Sequence, residues 1–139
     1  VIDHLTRTVR DADASVAFFR RVLQPLGYGV TMRFGDFVGF GTPQKPFFWV
    51  KPGEAPTTPM HLALVAPSRL AVDRFHEEAL AAGAQDNGAP GLRPDYHPHY
   101  YAAFVIDVDG HNLEAVCHLP PAPKPKPARG RAKPKKRAR

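Results

Sequence analysis

Polar and apolar positions alternate along the chain first with a period of two, then with a period near that of a helix, and the sequence does this twice. Residues 2–9 put Ile2, His4, Thr6 and Thr8 on one face and Leu5 and Val9 on the other. That alternation predicts a half-buried strand. Residues 12–26 then space Val16, Phe19, Val22 and Leu23 along one stripe, which predicts an amphipathic helix capped by Asp13 or Ser15 and stopped at Gly27. Short strands are expected around 28–34, 37–41 and 47–51, separated by Gly35-Asp36 and Thr42-Pro43. The second round begins at Met60. His61, Ala63 and Val65 share one face against Leu62 and Leu64, and Ser68 opens a helix carrying Leu70, Val72, Phe75, Ala79 and Leu80 that ends at Gly83. A loop rich in glycine and proline is expected over 86–99. Strands follow near 100–107 and 112–117, joined by the tight-turn signal Asp107-Val108-Asp109-Gly110.

Cut near Pro59, the two halves align at an offset of 57, with His4 on His61, Leu5 on Leu62, Phe18 on Phe75 and Leu23 on Leu80. Self-similarity at a fixed offset marks a repeated structural unit. Each half reads βαβββ. The expected fold class is α+β, one domain over 1–119 built from modules of about 1–58 and 59–119.

Composition changes this picture at one end only. The chain has 139 residues, 43% of them hydrophobic, enough for one domain with a core. No apolar run approaches the roughly 18 residues of a membrane-spanning helix. Val1 to Arg10 lacks the basic-then-apolar pattern of a secretory leader. The single cysteine, Cys117, cannot form an internal disulfide, so a cytoplasmic location is expected. The net charge of +6 is carried by the end of the chain: residues 120–139 hold nine of the nineteen Lys and Arg and no acid, which leaves ten basic against thirteen acidic residues in 1–119, a body charge of −3. The body is therefore not expected to bind nucleic acid. The tail, rich in Pro, Lys and Arg, is expected to be disordered and solvated. A sharper reading gives it salt-sensitive contact with nucleic acid or anionic lipid. With no aromatic residue to stack on bases, such contact would be blind to sequence.

Candidate chemistry gathers on equivalent strands. His4 and His61 occupy repeat-equivalent positions on the strand faces that lack the large aliphatics. Glu114 sits in the otherwise apolar strand Leu113-Glu114-Ala115-Val116, where a carboxylate needs a partner. A lone strand histidine is ordinarily a hydrogen-bonded structural residue, and Glu114 alone could pair with an arginine. Together, two imidazoles and one carboxylate suit a divalent ion with positions left open for substrate and water. The segment from Arg93 to Tyr101 adds Tyr96, His97, His99 and Tyr100 just before a strand bordering that face. His97 or Tyr100 could act there as general acid or base, and Arg93 could hold a substrate carboxylate. The same loop could equally be packing over the mouth of the fold. His76 is expected on the exposed side of its helix, His111 as a turn residue and Cys117 in the core.

The segments Ile2-Asp3-His4-Leu5-Thr6, Met60-His61-Leu62-Ala63 and Phe104 to Val116, the last with Asp107-Val108-Asp109-Gly110-His111 ahead of Glu114, resemble the vicinal-oxygen-chelate superfamily, the glyoxalase/bleomycin resistance protein/dioxygenase group. The resemblance covers 1–119. It implies paired βαβββ modules wrapped into a half-open barrel around one divalent metal (Fe, Mn, Ni, Co or Zn), with His4, His61 and Glu114 as ligands. It also implies a homodimer in which the two histidines of a site can come from different protomers. The position where many members carry a fourth ligand falls near Trp49, which cannot ligate. This argues against a glyoxalase I activity, while Ala102 and Ala103 argue against fosfomycin resistance. Two readings of function follow. One is a metal-dependent enzyme acting on two neighbouring oxygens of a small molecule, by lyase, isomerase, thiol transferase or dioxygenase chemistry, with Thr6, Trp49, Arg93, Tyr96 and Tyr101 as substrate contacts. The other is a metal-free protein of the bleomycin-resistance type that sequesters a drug.

Overall fold

Two side-chain caps start the two helices. Asp11 accepts the backbone N–H of Ala14 at 2.9 Å and opens α1 (Ala12–Leu23), while Ser68 accepts that of Ala71 at 3.1 Å and opens α2 (Arg69–Ala81). The first cap is Asp11 rather than the expected Asp13 or Ser15. Ser15 is buried and bonded elsewhere. The computed structural model describes residues 2–54 and 58–121. The basic run expected from residue 120 lies, from 122 onward, outside the described residues.

Around the helices stand β1 (Leu5–Val9), β2 (Gly29–Phe34), β3 (Phe37–Thr42) and β4 (Lys45–Pro52), then β5 (His61–Val65), β6 (Gln85–Leu92), β7 (Tyr101–Ile106) and β8 (Asn112–Cys117). They form two four-stranded sheets, ordered β1-β4-β3-β2 and β5-β8-β7-β6. In each, the first and last strands of the module run parallel and the other neighbours antiparallel. These are the two expected βαβββ modules. The exception is β6, placed in what the glycines and prolines mark as a loop. Its sequence Gln-Asp-Asn-Gly-Ala-Pro-Gly-Leu makes a poor strand, and its pairing with β7 shifts register on both sides of Gly88. As an edge strand it tolerates Pro90 and the bulges.

One core serves both modules. Phe19 of α1 meets Phe48 and Phe40 edge-on at 4.8 and 6.0 Å, and Val72 and Phe75 of α2 are buried in the same cluster as Val105 and Leu113. The helices touch across the joint, where Arg21 of α1 pairs with Glu78 of α2. These two residues are 57 apart, the offset that aligns the halves. Contact between repeat-equivalent positions is what a two-fold relation between the modules produces. His76, expected on the exposed side of α2, is 9% exposed and bonds Asp86 of β6 at 2.9 Å.

The deepest tie is ionic. Arg7, on the helix-facing side of β1, is 2% exposed and donates to Asp107 at 2.7 Å and to Asp109 at 3.3 Å across the joint. Ser15 donates to Asp109 at 3.0 Å. Asp107 also closes its own turn, accepting the N–H groups of Asp109 and His111, with Gly110 in the left-handed region at φ 85°. His111, the expected turn residue, is buried and accepts the Met60 N–H on its Nδ1 at 3.0 Å. Burial, and then the charge of Arg7, hold His111 below the usual histidine pKa against the pull of Asp107 and Asp109, in keeping with that acceptor role. The turn thereby holds the entry to β5 and, next to Met60, His61.

Removing one member of a buried ion pair strands the other. Arg7→Met is expected to destabilise the chain by about 3–5 kcal/mol in denaturant unfolding. The double variant Arg7→Met, Asp107→Leu should lose less than Arg7→Met alone if the stranded carboxylate is the cause.

Candidate functional site

Strand parity decides what the site can contain. Each helix covers one face of its sheet, so Leu113, Ala115 and Cys117 of β8 and Ala103 and Val105 of β7 enter the core. Their neighbours Glu114 and Phe104, paired across β7 and β8, take the opposite, helix-free face. In the first module Phe48 and Val50 enter the core. Thr6 and Trp49, paired across β1 and β4, share that module's open face.

On the open face of the second module three predicted residues meet. His61 Nε2 lies 2.8 Å from Glu114 Oε2, and the Tyr100 hydroxyl donates to Glu114 Oε1 at 2.5 Å. The Glu114 side chain is 2% exposed and, among the described residues, has no Lys or Arg partner. A buried carboxylate with no cation beside it invites one. Bonds of about 2.0–2.2 Å to a divalent ion set neighbouring ligand atoms about 3 Å apart, and the His61–Glu114 spacing fits that. Tyr100 does not fit a general base. Burial first, and then its bond to Glu114, raise its pKa to about 12, so the hydroxyl stays protonated and holds the carboxylate. Phe104, not foreseen as a site residue, meets His61 edge-on at 6.2 Å. Its alternation with Ala103 and Val105 was the available signal.

His4 lies elsewhere. It precedes β1 in the other sheet, exposed, with Nδ1 held 2.8 Å from Asp3 Oδ1, and Asp3 in turn pairs with Lys45. A carboxylate on one ring nitrogen aims and polarises the other. His4 borders a groove of about 430 Å³ that also takes in Thr6 and Trp49, with walls from Met32, Phe34, Phe37 and Pro46. Among the described residues no three of His, Cys, Asp and Glu come together at ligand spacing. The single chain thus assembles His61 with Glu114 and leaves His4 apart from them.

The remaining predicted residues divide. Arg93 sits over the Phe104 ring at 5.6 Å and donates to Ala89 O at 2.8 Å, so it borders the open face without an acidic partner among the described residues. Tyr96 packs edge-on against Tyr100 at 5.2 Å. His97 is exposed in the loop that Arg93 N–H and Tyr100 C=O close at 2.8 Å. Its Nδ1 accepts the His99 N–H, and its ring stands 6.0 Å from those of His99 and His118. Tyr101 is on the wrong face: its hydroxyl donates to Asp73 of α2 at 2.7 Å and its ring lies under Arg69. One step along a strand turns a side chain to the other side of the sheet, so Tyr100 reaches the site and Tyr101 does not.

A family model described as the Glyoxalase/Bleomycin resistance protein/Dioxygenase superfamily matches residues 1–115. The chain belongs to that superfamily. Among solved structures it is similar to a glyoxalase/bleomycin resistance protein from Albidiferax ferrireducens T118, with a TM-score of 0.70 and 24% identity over 83% of this chain and 96% of that one. It is also similar to a glyoxalase/bleomycin resistance protein/dioxygenase family enzyme from Burkholderia phytofirmans PsJN, with a TM-score of 0.64 and 21% identity over 85% and 98% of the two chains. A third is a mutant of the fosfomycin resistance protein FosX from Listeria monocytogenes, complexed with Mn(II) and 1S,2S-dihydroxypropylphosphonic acid, with a TM-score of 0.63 and 18% identity over 84% and 88%. These likenesses show the fold. No match is found among curated proteins.

Within this glyoxalase-superfamily fold the strand register shows which residue of the first module corresponds to Glu114. Thr6 pairs with Trp49 and Ala63 pairs with Glu114. Thr6 and Ala63 are repeat equivalents, so Trp49 stands where Glu114 stands in the other module. Only one module carries the carboxylate.

The Tyr100–Glu114 bond makes a pH prediction. Tyr100 has its folded pKa raised from 10.0 to about 12. Its contribution to stability is therefore complete below pH 10.0 and is lost as pH rises through about 12. In a phenolate absorbance titration, Tyr100→Phe should lose the highest tyrosine ionisation, and Glu114→Gln should move it down. A titration unchanged in both variants would remove Tyr100 as the donor.

Proposed function

We propose that the chain is a metal-dependent enzyme acting on a small molecule, with each site completed between two copies: His61 and Glu114 from one, His4 from the other. The observation that carries this reading is the buried Glu114 carboxylate, met among the described residues by His61 and Tyr100 and by no Lys or Arg, while a second imidazole, His4, stands exposed just ahead of β1 in the other sheet. The helices occupy the joint between modules within the chain, so both ligand-bearing faces remain free to meet a partner's. A homodimer with two-fold symmetry brings each face to its complement twice.

His61, Glu114 and His4 of the second copy would hold one divalent ion, chosen among Fe, Mn, Co, Ni and Zn by the nitrogen and oxygen donors. When bound, the ion supplies Lewis acidity toward two neighbouring oxygens of the substrate. The chain's own residues do the rest. Tyr100 keeps Glu114 pointed at the site. Asp3 holds His4 by Nδ1 and leaves Nε2 outward. Arg93, lacking an acid of its own among the described residues, offers its guanidinium to a substrate anion. Thr6 and Trp49 line the space beside His4, and Tyr96 backs Tyr100. His97 is near enough in the chain to serve as a proton donor or acceptor at the mouth. Lyase, isomerase, thiol transferase and dioxygenase chemistry all use such an arrangement, and the fold does not choose among them.

The test is complementation. Purified protein should carry about one ion per chain, and His4→Ala and Glu114→Ala should each lose it. If sites form between copies, dissociating and remixing the two variants gives heterodimers with one intact site. Metal content should then recover to about a quarter of the sites, since half the dimers are mixed and each repairs one of two sites. No recovery would place all ligands in one chain. A parent protein that stays metal-free after reconstitution would leave the drug-sequestering reading.

A further inference from the structure

We propose that the chain has a second function as a binder of duplex DNA: Arg129-Gly130-Arg131 enters the minor groove of an A/T-rich stretch, and the imidazoles of His97 and His118 meet phosphates beside it. This does not rest on the metal reading, and none of these residues is a proposed ligand of the ion.

The cations of the basic run are sorted by type. Its lysines, at 124, 126, 133, 135 and 136, all stand outside the segment 128–132, which reads Ala-Arg-Gly-Arg-Ala. Two guanidiniums thus flank a glycine, with the smallest side chains on either side. The minor groove of B-DNA is only about 6 Å wide. It is narrower still over A/T tracts, where its negative potential deepens and draws in arginine. A guanidinium enters more readily than an ammonium because it holds its water less tightly. Gly130 has no Cβ to keep the backbone off the groove floor, and Ala128 and Ala132 add one carbon each. The lysines then fall to the bordering phosphates, which position a protein without reading sequence. With no aromatic residue the run cannot stack on bases, but groove width is read without stacking. An anionic bilayer would attract the same charges, yet residues 122–139 hold no large apolar side chain to insert. Duplex RNA presents a wide, shallow minor groove instead.

The fold sets what surrounds the start of this run. β8 ends at Cys117, and His118 to Pro121 are exposed. The His118 ring stands edge-on to Tyr100 at 5.1 Å and to His97 at 6.0 Å, and His97 lies 6.0 Å from His99. Three exposed imidazoles therefore gather where the chain turns basic, with Asp95 the one acid of the loop 93–100. His97 Nδ1 accepts the His99 N–H at 3.2 Å. In the neutral ring the proton then sits on Nε2, from which it can be donated to a phosphate oxygen. Ten residues lead from Pro121 to Arg131, a reach of at most about 36 Å. The imidazoles and the arginine pair can thus bear on one duplex.

The experiment is anisotropy of labelled duplexes titrated with full-length protein over a range of salt. The probes are an A/T-tract DNA duplex, an alternating G/C duplex of equal length, a matched RNA duplex, and vesicles of mixed phosphatidylcholine and phosphatidylserine as competitor. The A/T tract should bind about tenfold tighter than the G/C duplex. Its log affinity should fall with log salt by about 0.9 for each phosphate contact. The double variant Arg129→Lys, Arg131→Lys keeps every charge, so it should keep the salt slope and lose the preference. The double variant His97→Phe, His118→Phe keeps the rings packed and removes their N–H donors. It should weaken both DNA duplexes alike, by about threefold. No binding at low salt overturns the proposal. So does equal affinity for the two DNA duplexes, a preference kept by the lysine variant, or an affinity untouched by the phenylalanine variant. Tighter binding of the RNA duplex or of the vesicles, compared at equal phosphate, overturns it as well, because the partner is then RNA or a lipid surface.

Discussion

The molecule is organised around one buried cation. Arg7 enters the joint between modules with almost no contact with water and finds Asp107 and Asp109 of the opposite module. Burying these charges is unfavourable unless opposite charges meet, so the modules dock where both terminal nitrogens of Arg7 find a carboxylate. Asp107 spends its other oxygen on the turn that leads to β8, and His111 in that turn holds Met60 at the start of β5. The arginine, the turn, and the strands bearing His61 and Glu114 are thus one connected unit. Docking through the helix side also decides which surfaces remain open, namely the two sheet faces that carry the imidazoles.

Much of this was legible as pattern. The repeat at 57 residues, the two helices and the βαβββ order of each half all follow from periodicities that a core imposes on any chain. The failures are physical. β6 was hidden because an edge strand needs pairing on one side only, and Gly88, Pro90 and Gly91 are compatible with that. Arg7 sits on the core-facing side of a strand, a position that hydrophobic pattern alone gives to an aliphatic. Its reason lies a hundred residues away. Pattern alone turns His76 to solvent, because its partner, Asp86, belongs to the strand that glycine and proline conceal. Tyr101 was grouped with Tyr100 because composition is blind to parity, and a strand that begins at Tyr101 turns the two rings to opposite sides of the sheet. His4 could be named but not placed, since no periodicity within one chain says whether two open faces belong to the same pocket.

The two modules share a backbone plan and differ where it counts. At the paired positions of Trp49 and Glu114, one carries an indole and the other a carboxylate. At the strand beside each, Gly39 leaves the space that the indole occupies, whereas Phe104 stands next to Glu114 and His61. At this pair of positions one half of the repeat carries an aromatic ring, and the other carries a buried carboxylate. The relatives in the superfamily share the scaffold at identities that say nothing about this difference, so activity must be sought in these few positions rather than in the fold.

The Arg21–Glu78 contact has an implication for ancestry and for assembly. It joins two positions that are copies of one another, next to the pseudo-symmetry axis. Had the two halves been separate, identical peptides, that spot would have set a residue against itself, either guanidinium on guanidinium or carboxylate on carboxylate. Opposite charges meet there because the two halves differ in sequence at this position. So exposed a pair adds little to stability. It does discriminate: a first module offered another first module would confront Arg21 with Arg21, and so the pair biases each half toward its unlike sibling during folding.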